Sequence, residues 1–124
     1  MKNSKGSKKI AVKVNTKDNE IYSVLMGNIS GSKKMLIEPG LTAYLLPDGT
    51  AMELYGTGAV YPDYLFAASD TVMSYKVEKL DETLAELLEA GAKLLGPVHQ
   101  VCSSYRYCHL QLNEASVFGI YEER

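Results

Sequence analysis

Glu53 and His109 are the residues whose chemistry is most direct. A carboxylate beside an imidazole can fix one ring tautomer, or have its own pKa raised toward neutrality by burial, and so move a proton on a carbonyl substrate. Glu53 lies in the strand-like run AMELY and His109 in YRYCHLQL. The plainer expectation for Glu53 is a strand-face carboxylate paired with Lys13 or Lys76, because such ion pairs are ordinary. Nothing around either lysine calls for the lowered pKa of a Schiff-base nucleophile. Cys102 and Cys108, six apart with His99 and His109 beside them, invite zinc and disulfide readings. Structural zinc favours closely spaced cysteine pairs with a second ligand pair well downstream, and this set has neither. Reduced strand thiols are the expectation, as in a cytoplasmic protein. Gly56-x-Gly58 precedes no helix signal, so it reads as a connector and not a phosphate loop.

The elements that position these residues follow from pattern. The 124 residues, 46% hydrophobic and 23% charged, are enough for one core and too few for two independent domains. No stretch has the length of a membrane helix or the apolar run of a secretory signal, so no membrane contact and a cytoplasmic location are expected. Residues 1–9 hold four of the thirteen basic residues and almost nothing apolar, and are expected to be a disordered basic tail. The rest carries nine basic against fifteen acidic residues, which disfavours nucleic acid as a partner.

From Ile10 an alternating strand runs to Asn15 and Thr16, and Asp18 then caps a short helix with Ile21, Val24 and Leu25 at helical spacing, closed by Gly27-Asn28. Pro39-Gly40 and Pro47-Asp48-Gly49 divide the next stretch into a three-strand meander. In its last strand Ala51, Glu53 and Tyr55 share one face, while Met52 and Leu54 turn to the core. A Gly- and aromatic-rich connector covers 56–70. Then a strand over 71–77, a helix opened by Asp81 with a Leu84, Leu87, Leu88 stripe, and strands over 92–95, 105–112 and 116–121 repeat the order. The Gly96-Pro97 pair is expected to be a turn. The fold class is therefore α+β, a single domain over 10–124 with module one about 10–55 and module two about 71–124. Each module is a strand, a helix and three strands that need the other's sheet to bury their own.

In the second module, VEKLDETLAELLEAGAKLLGPVHQV followed by LQLNEASVFGIYEE resembles the vicinal oxygen chelate superfamily, also called the glyoxalase/bleomycin resistance protein/dioxygenase family. LPDGTAMELYG resembles its third and fourth strands, and the opening strand and helix are a fair match. The resemblance implies two βαβββ modules forming an incomplete barrel around a concave ligand cavity, commonly in a homodimer. It also implies four metal-ligand positions, one from the first and one from the fourth strand of each module. These fall on Ala11, Glu53, Val72 and Gly119, of which only Glu53 can coordinate an ion. His109 would bring such a site to two ligands. The Leu112-Asn113-Glu114-Ala115 turn departs from the family's Asp-Pro-Asp-Gly.

With Cys108, Leu110 and Leu112 expected to face the helices, alternation turns Tyr107, His109 and Gln111 to the concave side. Lys13, Asn15, Glu53, Tyr55, Ser74, Lys76 and Tyr121 join them by the same rule. Nine tyrosines, two phenylalanines and no tryptophan supply amphipathic walls. The expected function is metal-independent binding of a small organic molecule in a tyrosine-lined cavity, without a cofactor. The alternatives are a glyoxalase, lyase or dioxygenase-type enzyme with an atypical metal site or Glu53/His109 acid–base chemistry, and a dimeric interaction module.

Overall fold

The computed structural model describes residues 8–124. It divides into two compact units, Met1–Pro62 and Asp63–Arg124. The first unit holds β1 (Lys8–Lys13), α1 (Thr16–Gly27), β2 (Lys33–Glu38), β3 (Leu41–Leu45) and β4 (Ala51–Tyr55). The second holds β5 (Thr71–Lys76), α2 (Leu80–Ala90), β6 (Lys93–Cys102), β7 (Tyr105–Asn113) and β8 (Ser116–Glu123). Each is a βαβββ module whose first and last strands pair in parallel, giving strand orders β2-β3-β4-β1 and β5-β8-β7-β6. The fold class is thus the expected α+β repeat. Residues 1–7 of the expected tail lie outside the described residues, whereas Lys8 and Lys9 belong to β1.

In the first unit Val12, Val14, Met26, Tyr44 and Leu54 form a buried cluster, with Ile10, Tyr22, Ile29, Leu46 and Met52 packed against it. The α1 stripe is therefore Tyr22, Met26 and Ile29. The expected stripe of Ile21, Val24 and Leu25 is at least half exposed instead. Asn15, not Asp18, caps the helix: its side chain accepts a hydrogen bond from the Asp18 N–H at 2.8 Å, satisfying an amide that has no partner inside the helix.

In the second unit Leu80, Cys108, Leu110 and Ile120 are buried beneath α2, with Leu84, Leu87, Val98 and Phe118 packed around them. Burial pushes the Cys108 thiol up to about 11, so it is a protonated, apolar core group. Both cysteines are free, as the sequence led us to expect. Gly96-Pro97 is not a turn. β6 runs through it, with a register shift between Leu95 and His99 and Gly96 at φ +69°. Proline is tolerated there because β6 is the edge strand of this unit's sheet and a bulge absorbs the lost ladder bond. Leu112, expected under the helix, is exposed at the end of β7.

The start of α2 is held from a distance. Its N-cap residue Lys79 makes no side-chain cap bond; instead the Leu80 N–H donates to the buried Glu122 carboxylate of β8 at 2.8 Å. Arg124 grips the other carboxylate oxygen at 2.9–3.0 Å. The Leu80 amide first, and then Arg124 and Arg106, hold the Glu122 carboxyl below its ordinary value of 4.5. A carboxyl depressed in the folded state contributes its full stability above that ordinary value and loses it as pH falls through the folded value. Glu122→Gln is accordingly expected to lower the melting temperature by several degrees at pH 7. The gap from wild type should close when both are melted well below pH 4.5. A constant gap across that range would show that the charge contributes nothing.

Candidate functional site

Opposite strand partners project to the same face, so the register of each unit sorts the expected site residues. On the face of the first sheet turned away from α1, Ala11 and Ala43 flank Glu53 from the two neighbouring strands. The two short side chains leave room for the carboxylate to lie across the sheet. It pairs with Lys9, Nζ to Oε2 3.7 Å, and accepts a hydrogen bond from the Tyr55 hydroxyl at 3.4 Å. The Tyr55 ring packs edge-on against Tyr61 at 5.9 Å. The ion pair expected of Glu53 therefore forms, with Lys9 in place of Lys13 or Lys76. Lys13 lies opposite Tyr55 and is exposed, as is Asn15, whose side chain is taken by the helix cap. Lys76 approaches Glu123 at 3.8 Å.

The second unit gathers the aromatic residues. On the face away from α2, Lys76, Tyr121 and Tyr107 are successive partners across β5, β8 and β7, and His99 of β6 lies opposite Tyr107. The next row along is Ser74, Gly119 and His109. Gln111 continues the face beside Val117. The rings form a connected array. His99 stacks on Tyr107 with centroids 4.9 Å apart, and Tyr107 meets His109 and Tyr105 at 5.8 Å. Tyr105 reaches Tyr121 at 5.9 Å, and Tyr64, from the segment before β5, meets His109 at 5.8 Å. The Tyr64 hydroxyl is buried with no hydrogen-bond partner among the described residues. Burial, and then the Tyr107 phenol and Cys108 thiol, push the Tyr64 phenol above its ordinary value of 10.

Tyr107, His109, Gln111, Tyr121, Ser74 and Lys76 thus share one face, as alternation led us to expect. Glu53 and Tyr55 belong to the other unit, so neither unit by itself assembles the expected Glu53/His109 pair. Tyr64, Tyr105 and His99 complete the array and were not among the expected site residues. Tyr105 was legible, since it shares the parity of Tyr107 and His109; Tyr64 sits in a segment without periodicity.

The implied metal positions need one correction. Ala11 is the partner of Glu53, but the partner of Gly119 is Ser74, with the buried Val72 two residues earlier on β5. Ala11, Ser74 and Gly119 offer no carboxylate, imidazole or thiol, and among the described residues no three His, Cys, Asp or Glu side chains converge. The donor set does not fit a divalent ion.

These paired βαβββ modules are the fold of the glyoxalase/bleomycin resistance protein/dioxygenase superfamily. A superfamily member from Vibrio splendidus 12B01 superposes with a TM-score of 0.64 at 12% identity, covering 94% of this chain and 97% of that one. Methylmalonyl-CoA epimerase from Mycobacterium tuberculosis superposes with a TM-score of 0.60 at 13% identity, covering 100% and 93%. A structure described as NAD-dependent benzaldehyde dehydrogenase from Legionella pneumophila gives 0.64 at 13%, covering 94% and 99%. No protein-family model matches the sequence, and neither does any curated protein. Names this diverse on one backbone show that the fold carries no activity by itself, and function must be argued from the site. No helix among the described residues is long and apolar enough to cross a membrane.

Proposed function

We propose that this chain is a metal-independent binding protein that holds a small organic molecule against the aromatic face of its second unit, in a tyrosine-lined cavity. The observation that carries this reading is the connected array of Tyr64, His109, Tyr107, His99, Tyr105 and Tyr121 on the face away from α2. Apolar walls with a few polar groups at their edge are how small-molecule sites are commonly built. Ser74, Gln111 and Lys76 supply those polar groups from the same face. Acid–base catalysis has less support, because within its own unit Glu53 is already engaged by Lys9 and Tyr55.

The test is a thermal-shift screen of aromatic metabolites and drugs, since a ligand that prefers the folded state raises the melting temperature. Members of the screen are expected to stabilise the wild type. Tyr107→Ala should weaken the best of them roughly threefold to tenfold, the worth of one aromatic contact. A screen in which no compound raises the melting temperature overturns the binding reading. A rise with zinc, nickel, iron or manganese alone overturns its metal-independent part.

A further inference from the structure

One ring of the array differs from the rest in how it is carried. His99, Tyr105, Tyr107, His109 and Tyr121 stand on strands, whereas Tyr64 comes from the turn before β5 and lies over the sheet. Its seat is a place on β6 where a side chain is missing. A Cβ built on Gly96 would come within 3.0–3.4 Å of three Tyr64 side-chain atoms, and the same ring meets His109 at 5.8 Å. Leu65 and Phe66, next in the chain, are buried, while Asp63 before it is exposed. The turn is thus anchored by its apolar pair and does not depend on the Tyr64 ring. The seat suits that ring but not its hydroxyl, which is buried with no hydrogen-bond partner among the described residues. Burial keeps the phenol above its ordinary value of 10, so the group stays neutral and gains no relief by ionising. A hydroxyl taken from water without a replacement bond offsets much of what the ring gains by burial. Turning outward returns that bond to water, so the covered and uncovered arrangements lie close in free energy.

We propose that the seat over Gly96 and His109 is a subsite of the binding face that Tyr64 fills as an internal ligand, and that it takes a phenyl ring of the bound molecule when Tyr64 turns out. This rests on the proposed aromatic binding and adds the subsite and the part of the ligand it recognises. The space needed by the incoming ring is the space the tyrosine ring gives up. A phenol is disfavoured in the seat for the reason Tyr64 itself is, since its oxygen finds nothing there to pair with. The apparent affinity for such a ring is reduced by the fraction of chains in which Tyr64 covers the seat.

The test uses toluene and p-cresol, the phenylalanine and tyrosine side chains as free molecules. They are titrated into the full chain with its histidine rings labelled for NMR, so that binding is read at His109. Tyr64→Phe, which removes only the unpaired oxygen, is expected to raise the melting temperature by about 2–5 °C and to bind toluene about threefold to tenfold more weakly than the wild type. Tyr64→Ala leaves the seat open and should bind toluene about tenfold more tightly than the wild type, and about tenfold more tightly than it binds p-cresol. A wall residue would give the opposite sign, with affinity lost in Tyr64→Ala. A Tyr64→Phe melting temperature at or below that of the wild type shows that the hydroxyl is paired, and overturns the inference even if Tyr64→Ala does not fold. Toluene affinity in Tyr64→Ala equal to or below that of the wild type, or no preference there over p-cresol, overturns it while leaving the aromatic reading intact. Absence of toluene binding in all three proteins overturns the inference together with the reading beneath it.

Discussion

Replacing Leu110 with alanine is expected to lower the unfolding free energy by about 2–5 kcal/mol, measured by urea denaturation. Leu110 is fully buried, and it sits in the cluster of Leu80, Cys108 and Ile120 that joins α2 to β7 and β8. The loss combines the transfer free energy of the deleted groups with the cavity left behind. Sheet on one side and helix on the other limit how far that cavity can collapse. Leu112→Ala, two residues along the same strand but exposed, is the internal comparison and should stay within about 0.5 kcal/mol of wild type. Similar costs at the two positions would mean that α2 does not cover Leu110. Because Tyr107 and His109 are carried on the strand that Leu110 pins, Leu110→Ala should also weaken the proposed ligand binding by loosening the array.

Gly40→Ala should be comparably damaging for a different reason. Gly40 turns the chain between β2 and β3 at φ +83°, where an L side chain is strained by about 1–2 kcal/mol. Its added Cβ would also run into the backbone of Thr57, Gly58 and Ala59, and backbone cannot swing aside as a side-chain tip can. The Gly40 carbonyl accepts the Gly56 N–H at 2.8 Å, so any retreat of the turn breaks that bond as well. With overpacking of about 1–3 kcal/mol added to the strain, a total loss of about 2–5 kcal/mol is expected by denaturation. Gly91→Ala separates the two contributions: Gly91 has φ +115° but nothing within 4 Å of its built Cβ. It should show the strain without the collision, and equal losses at the two sites would reject the collision.

What the sequence revealed, and what it hid, depended on the range of the interaction. Alternation along β7 correctly separated Cys108 and Leu110 from Tyr107 and His109, because parity in a strand is set by the backbone alone. It could not say where α2 stops covering the sheet, which is why Leu112 was assigned to the core. In α1 two apolar stripes compete, Ile21-Val24-Leu25 and Tyr22-Met26-Ile29, and both suit a helix. Only the packing against Val12 and Leu54 chooses the second. Gly96-Pro97 has the composition of a turn, and its acceptance within β6 depends on that strand lying at the edge of its unit's sheet. The Glu122 cap and the Tyr64 contact were not legible, since each links residues far apart in the chain with no local pattern to mark them. Of the expected site, the β7 and β8 residues could be placed by parity. The partner of Glu53 could not, because Lys9 was assigned to a tail.

The two helices also differ in when their first turns can be completed. Asn15 is made just before α1, so that helix can be capped as soon as its own residues have left the ribosome. The Leu80 amide waits for Glu122, made 42 residues later. The growing chain therefore carries α2 with an open first turn until β8 has been made. The strands that present the ring array reach their final arrangement only when β8 is there to pair with β5 and β7.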